Sequence, residues 1–195
     1  MSVRALTLAD VAVPRAGALD NVVLVASASL VTALGAQLAI PLPWSPVPIT
    51  GQTFAVLLSG AVLGARRAFL AQALYLAEGA LGLPVFASGA AGIAQFAGPT
   101  GGYLLAFPLA AAVTGLLGGR GWDRRFPTMM LAMLAGSAVV FAFGLAGLSR
   151  FVRADALIAQ GLLPFIPGDL FKASLASLAV PGAWRWAGRR SGTTG

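Results

Sequence analysis

The chain has 195 residues, of which 58% are apolar and only 10% are charged, and its mean hydropathy is +0.86. Soluble domains carry about 25% charged residues, so this composition excludes an ordinary soluble domain and favours a membrane protein. There is no cysteine or histidine, which excludes disulfides, thiolate nucleophiles and imidazole metal sites, and no other metal site is expected. The net charge of +7 arises from basic residues between apolar runs, which argues against nucleic-acid binding.

Apolar runs predict an all-α membrane protein. Six runs are long enough to form transmembrane helices, at about residues 22–40, 49–64, 68–83, 102–118, 128–148 and 165–186. The first run follows a charged segment and lacks a small-residue cleavage site, so we expect a retained helix and not a signal peptide. The second and third runs are short, which predicts burial against other helices. The resulting division is a segment at 1–21, a membrane domain at 22–186 and a tail at 187–195.

The arginines between the runs predict the orientation. If the N-terminus is cytoplasmic, ten arginines lie at inner edges, namely Arg4, Arg15, Arg66, Arg67, Arg120, Arg124, Arg125, Arg185, Arg189 and Arg190. Two, Arg150 and Arg153, lie at an outer edge. This asymmetry agrees with the positive-inside rule, so both termini are expected in the cytoplasm.

Small residues recur along the first predicted helix. Ala28, Thr32 and Ala36 follow one another at a spacing of four, and Ser29 and Ala33 form a neighbouring row. Such rows let two helix backbones approach closely in lipid. Two interpretations stay open at this point: packing within the chain, and docking onto a separate membrane subunit.

Two charged residues begin the sixth run. Asp169 and Lys172 are three positions apart and therefore share one helical face. Because an unpaired charge at membrane depth is costly, each should be neutralised by the other or by a ligand. Lysine offers an ammonium group for a carboxylate, whereas aspartate accepts hydrogen bonds from amide or ureido N–H groups. The alternatives are an ion pair that only pins the helix and, for Asp169, a helix N-cap.

Further polar residues lie within or beside the apolar runs. Glu78 is in the third run. Tyr75 lies on the same helical face, so it is a candidate hydrogen-bond partner of Glu78 or a candidate ligand contact. Four glutamines are further candidates, although a hydrogen bond between helices explains each better than a ligand contact does: Gln37, Gln52, Gln72 and Gln95.

Two uncharged connections, 41–50 and 84–101, fall on the outer side of this topology. Non-helical backbone near membrane depth must be covered by protein or line a cavity. We therefore expect these connections to close a pocket that opens outward, with flat walls from Trp44, Phe86, Phe96 and Tyr103. A folded cap without a ligand is the alternative.

Four motifs carry a resemblance to a known family. They are PVPITGQT at 46–53, LYLAEGALGLPVFASG at 74–89, GPTGGYLLAF at 98–107 and PGDLFK at 167–172. Together they resemble the BioY family, the biotin-binding membrane component (S component) of energy-coupling factor (ECF) transporters. The resemblance implies a six-helix S-component fold in the cytoplasmic membrane of a prokaryote, surrounded by lipid. It also implies biotin capture at the outer face.

The resemblance further implies that this chain is not an enzyme and holds no cofactor. In this family a transmembrane coupling protein (T component) and two ABC ATPases, which use ATP and Mg²⁺, drive transport. The oligomeric state stays open at this point: the chain could act alone or as a homo-oligomer. The alternatives are an S component for another vitamin, a self-associating channel, and an intramembrane enzyme that uses Glu78 or Asp169.

The motifs also imply the site residues. Asp169 and Lys172 correspond to ligand-site positions of the family. The substrate-binding set that we predict adds Tyr75, Glu78, Phe86, Gln95, Gly98, Pro99, Thr100, Gly101, Gly102 and Tyr103. The predicted outer lid comprises Trp44, Pro46, Val47, Pro48 and Thr50.

Overall fold

A computed structural model describes residues 7–14 and 16–191, with side chains up to residue 187. Arg4 and Arg15, and the side chains of Arg189 and Arg190, therefore lie outside the described residues. The helices are α1 Leu8–Ala12, α2 Ala18–Gln37, α3 Gln52–Leu63, α4 Ala65–Ala80, α5 Gly101–Gly118, α6 Phe126–Leu148, α7 Leu157–Gly161 and α8 Ile166–Ser191. Strands β1 (Ala39–Leu42) and β2 (Ser45–Thr50) form one hairpin, and short 3-10 turns lie at Ala87–Gly89, Ile93–Ala97 and Trp122–Arg124.

Four helical segments of the described chain are long and apolar enough to cross a membrane. They are Ala18–Gln37, Gly101–Gly118, Phe126–Leu148 and Leu157–Ala187, the last of which joins α7 to α8. Helix α3 is also apolar but has only 12 residues. The protein is thus a mostly helical membrane protein, and the number of six crossings stays a prediction.

Connections between the helices differ from expectation at two places. Residues 39–50 form an antiparallel hairpin in which Ala39 pairs with Thr50 and Leu42 with Ser45. The sequence predicted a connection without a helix at 41–50, and the structure shows that this connection is a short hairpin within a mostly helical fold. A strand with several prolines is tolerated here because a two-stranded sheet has only edge strands, where a missing N–H breaks no central ladder. The second difference is Gly64, whose positive φ of 78° turns α3 directly into α4.

Helix α3 lies at the centre of the bundle and contacts α2, α4, α5, α6 and α8. Its burial explains how so short and apolar a helix is accommodated. Glycines let the helices around it approach closely. A Cβ atom on Gly60 would collide with the carbonyl oxygen of Ala111 on α5, and one on Gly102 with that of Phe143 on α6. These glycines therefore serve helix packing.

The small-residue rows on α2 face the interior of the chain. Ser29, Thr32, Ala33 and Ala36 are buried, and Ala28 packs against the core. Ser29 Oγ donates to Glu78 Oε2 at 2.5 Å, and Gln72 Nε2 donates to Thr32 Oγ1 at 3.1 Å. Intramolecular contacts with α3 and α4 cover these residues, which favours packing within the chain, and docking onto a separate subunit stays a prediction. The open side of α2 carries larger residues instead, such as Leu30 and Leu34.

A compact cluster joins the end of α8 to the connection between α5 and α6. Asp123 is buried, and its Oδ2 accepts a hydrogen bond of 2.6 Å from Trp184 Nε1. The Arg124 guanidinium lies 3.3 Å from the centre of the Trp184 ring and also bonds Asp123. Burial raises the pKa of Asp123 above its ordinary value, although the bonds from Trp184 and Arg124 oppose this shift.

Candidate ligand-binding site

A cavity of about 230 Å³ lies at the end of the bundle where the hairpin, the α4–α5 connection and the start of α8 meet. Nine predicted residues line it: Val47, Pro48, Thr50, Phe86, Gln95, Thr100, Tyr103, Asp169 and Lys172. Both connections that the sequence analysis placed over a pocket therefore contribute to its wall. A cavity of this size suits a small metabolite.

Lys172 and Asp169 form the charged end of the cavity. Lys172 Nζ donates to Thr50 O and Thr53 Oγ1, each at 2.9 Å, and lies 3.4 Å from Asp169 Oδ1. Asp169 is 8% exposed, and its Oδ2 accepts a bond of 3.1 Å from Ser137 Oγ. Three helices and residues 47–50 of β2, which we call the hairpin root, thus meet at one ion pair.

Asp169 is not the N-cap that the sequence allowed. Helix α8 begins at Ile166, and the backbone N–H of Asp169 already donates to Phe165 O at 2.9 Å. Its carboxylate is consequently free to bond side chains of α3, α6 and α8. The pair carries no net charge, so it can offer a ligand one donor and one acceptor side by side.

A chain of hydrogen bonds runs behind the cavity. Thr50 Oγ1 donates to Gln52 Oε1 at 3.1 Å, Gln52 Nε2 donates to Tyr75 Oη at 2.6 Å, and Tyr75 Oη donates to Val85 O at 3.0 Å. Tyr75 is fully buried and lies outside the cavity lining. It therefore joins the hairpin root to the α4–α5 connection and does not face the cavity as a ligand contact would.

Aromatic rings line the cavity and pack against one another. Phe86 packs edge-to-face on Tyr75 at 5.5 Å and on Phe96 at 5.7 Å between ring centres. On the other side, Phe165 lies 6.4 Å from Tyr103 and 6.3 Å from Phe141. Rings that contact one another in this way make a stiff apolar wall.

The cavity lining also offers uncharged polar groups. Ser88, Gln95 and Thr100 line it, and their side chains bond no other residue in the described part of the chain. Ser88 has a φ of 57°, a backbone conformation that is costly for a residue with a Cβ atom. These three side chains are available to a ligand.

Other predicted residues lie away from the cavity lining. Gly98, Pro99, Gly101 and Gly102 flank it, and a Cβ atom on Gly101 would collide with Phe96 O. Glu78 bonds Ser29 on α2. In the predicted lid, Trp44 is 60% exposed at the tip of the hairpin and Pro46 is also exposed. The structure thus brings the hairpin root, and not its tip, to the cavity.

The sequence analysis missed about half of the lining. These residues are Gln52, Thr53, Ala87, Ser88, Ala90, Leu104, Phe107, Val140, Phe141 and Phe165, among which only Gln52 was a general candidate. Thr53 lies within the PVPITGQT motif, which was the available signal. Val140 and Phe141 lie mid-helix in an apolar run, where no local pattern distinguishes a cavity face from a lipid face.

Comparisons with known proteins decide the family. The model of the BioY family matches residues 6–189. This chain belongs to the BioY family. The family that the four motifs predicted is thus confirmed.

Relatives in the BioY family cover most of the chain. A probable biotin transporter BioY of Pyrococcus horikoshii is 43% identical and covers 80% of this chain and 91% of its own length. Biotin transporters BioY of Thermotoga maritima and Rhizobium etli are 41% and 38% identical and cover 77% and 82% of this chain. Among solved structures, the S component for biotin from an ECF-type ABC transporter matches with a TM-score of 0.73 at 28% identity, over 86% of this chain and 92% of that one.

Proposed function

We propose that this chain captures biotin and serves as the S component of an ECF-type ABC transporter. Its family and its relatives, named as biotin transporters, support this function. The observation that carries the proposal most directly is the cavity, whose lining combines an ion pair, aromatic side chains and polar side chains that have no partner among the described residues.

The chemistry of biotin matches these three kinds of group. Its ureido ring carries two N–H donors and a carbonyl acceptor, its thioether ring is apolar, and its tail ends in a carboxylate. All three donors of Lys172 already have protein partners, and Asp169 neutralises its charge. The pair is therefore better suited to the neutral ureido group, with Asp169 accepting from N–H and Lys172 exchanging one of its protein hydrogen bonds for a bond to the ureido carbonyl. The carboxylate then lies toward Ser88, Gln95 and Thr100.

Tight capture requires enclosure. Biotin has about 16 heavy atoms, so nanomolar affinity requires roughly −0.75 kcal/mol per atom. Such efficiency is reached only in a preorganised pocket that excludes water. The bond between Lys172 and Thr50 O and the bond of 2.8 Å from Ser45 Oγ to Gln160 O hold the hairpin over the cavity.

We infer a transport role without a catalytic step in this chain. Each of the six predicted runs overlaps a helix of the structure, which supports six membrane crossings. Ten arginines at the predicted inner edges against two at an outer edge support cytoplasmic termini. The cavity then opens to the outer face of the cytoplasmic membrane. A T component and two ABC ATPases would supply the energy, since this sequence has no GxxxxGK[ST] phosphate-binding loop.

Uptake measurements test this role. The chain alone in liposomes should retain radiolabelled biotin at a stoichiometric level without sustained flux, whereas co-reconstitution with a T component and its ATPases should give ATP-dependent accumulation. Steady passive flux through the chain alone would support a self-associating channel instead. ATP-driven uptake of thiamin or riboflavin in preference to biotin would assign the same fold to another vitamin.

A further inference from the structure

A second cavity, of about 390 Å³, lies at the opposite end of the bundle from the candidate biotin site. It is formed where the start of α2, the end of α3 and the start of α4 meet, and α1 closes one side. The candidate biotin site includes the first turn of α3 and part of the connection that follows α4, so it lies at the other ends of those two helices. In the proposed orientation, the second cavity faces the inner leaflet.

One ion pair and one additional cation set the charge of this cavity. Arg67 Nη1 lies 2.6 Å from Asp10 Oδ1, and Arg67 Nε donates to Asn21 Oδ1 at 2.7 Å. Arg66 also lines the cavity, yet its guanidinium makes no hydrogen bond or ion pair with the described residues. Among the described lining residues, two arginines against one aspartate leave a net positive charge.

Asp10 stays ionised in this arrangement. Burial raises the pKa of its carboxyl, but bonds from the Thr7 backbone N–H and from Arg67 outweigh burial and hold that pKa below its ordinary value. Asp10 therefore neutralises Arg67 at all pH values near neutrality. Arg66 remains as the group able to attract an anion.

The lining changes from polar to apolar along the helix axes. Asn21 and Arg67 lie in the first turns of α2 and α4, whereas Val25 and Leu70 lie one turn further into the bundle. Leu70 is 47% exposed, so its side chain is open to an apolar group that enters the cavity. An anion with no apolar part would fill only the outer half of such a cleft.

We propose that this second cavity binds an anionic phospholipid. The phosphodiester pairs with Arg66, and the start of an acyl chain lies along Val25 and Leu70. The net positive charge of the described lining complements the negative charge of a phosphatidylglycerol headgroup. Basic cavities between helices at the inner membrane surface have the chemistry that such headgroups require.

Thermal unfolding in a non-ionic detergent tests this proposal. Dioctanoyl phosphatidylglycerol, dioctanoyl phosphatidylcholine and inorganic phosphate are each added to the wild type, to Arg66→Gln and to a matched control, Arg120→Gln. Arg120 is exposed at the end of α5 and lies outside the cavity lining. We expect phosphatidylglycerol to raise the Tm of the wild type and of Arg120→Gln by several degrees, and that of Arg66→Gln by less than half as much.

Three outcomes would overturn the proposal. Equal stabilisation of Arg66→Gln, equal stabilisation by phosphatidylcholine, or full stabilisation by inorganic phosphate alone would each remove the specific lipid site. Native mass spectrometry of the wild type, released from nanodiscs that contain both lipids, tests the proposal without any variant. The protein should retain phosphatidylglycerol in preference to phosphatidylcholine, and equal retention of the two lipids would contradict the proposal. Biotin affinity is measured in parallel and should not change in Arg66→Gln, which separates this site from the proposed function.

Discussion

Lys172 and Asp169 illustrate what single residues contribute in a chain with so few charges. Each would be costly to bury alone, and the structure pairs them at 3.4 Å with hydroxyl partners from α3 and α6. Their spacing of three was enough to predict the shared face. The hydroxyl partners, Thr53 and Ser137, could not be predicted, because their proximity arises from how three helices pack.

Removing either member of the pair should weaken biotin binding. We expect Lys172→Ala and Asp169→Ala each to lower affinity at least tenfold, which is about 1.4 kcal/mol, since the remaining charge loses its partner and biotin loses a polar contact. The double variant should lose less than the two single losses combined, because both residues act in one network. Isothermal titration of the purified variants measures this.

Ser174→Ala is the matched control on α8, because Ser174 is half-buried, lies outside the cavity lining, and bonds only the Leu170 carbonyl among the described residues. It should bind like the wild type. Wild-type affinity in both Lys172→Ala and Asp169→Ala would contradict the assignment of the site.

Asp123 predicts a pH dependence of stability. Because burial raises its folded pKa, the folded state holds the proton more tightly than the unfolded state does. Between the unfolded pKa, about 4, and the raised folded pKa, the free energy of unfolding therefore falls as pH rises. Asp123→Asn, whose amide oxygen still accepts from Trp184, should lack this dependence.

Thermal unfolding from pH 4 to pH 7 in detergent measures the effect. The Tm of the wild type should fall relative to that of Asp123→Asn across this range. A wild-type Tm that rises relative to the variant would show that the bonds from Trp184 and Arg124 outweigh burial.

At the scale of elements, the long helices were the most predictable part of the fold. An apolar run that must satisfy its backbone in lipid has little alternative to a helix, and runs such as 102–118 and 128–148 overlap α5 and α6 closely. The hairpin could not be predicted in the same way. Its prolines indicate an end to α2, but pairing of Ala39 with Thr50 depends on the neighbouring helices and on contact with α7. Helix α7 itself, with five residues, gave no periodic signal.

Bound biotin should protect the hairpin root from chemical labelling and should leave the hairpin tip unprotected. Since the chain has no cysteine, single cysteines can be introduced without background. Pro48 lines the cavity, whereas Trp44 lies at the exposed tip and serves as the control. We expect biotin to slow maleimide labelling of Pro48→Cys at least fivefold and to leave that of Trp44→Cys unchanged. Equal protection at both positions, or at neither, would contradict a lid that closes through its root.

Glycines of the GPTGGY motif should separate packing from binding. Gly102→Ala places a Cβ against Phe143 O on α6 and should destabilise the fold by about 1–3 kcal/mol. Gly98→Ala meets only Gln95 O at 3.4 Å and should be tolerated. Chemical unfolding in detergent measures both. A stable Gly102→Ala that had lost biotin binding would restore the original prediction that Gly102 contacts the ligand.

On the scale of the whole molecule, the two ends of the bundle have different chemistry. One end has the hairpin, the aromatic cavity and the neutral ion pair, and the other has α1, the Arg66–Arg67 cavity and the Asp123–Trp184 cluster. Helix α3, which lies at the centre of the bundle, connects the two ends. Its first turn lines the candidate biotin site, and its last residue lines the second cavity. The composition predicted a membrane protein, and the distribution of arginines between the apolar runs predicted its orientation. Neither could predict which helix lies at the centre.

Titration of biotin into the detergent-purified, folded protein tests the central claim most directly. The account predicts one binding site with a Kd on the order of nanomolar, about −12 kcal/mol, and no comparable binding of thiamin or riboflavin. Desthiobiotin, which keeps the ureido ring and the carboxylate but lacks the thioether ring, should bind more weakly. The absence of biotin binding by a protein that unfolds cooperatively on heating would contradict capture by this chain alone.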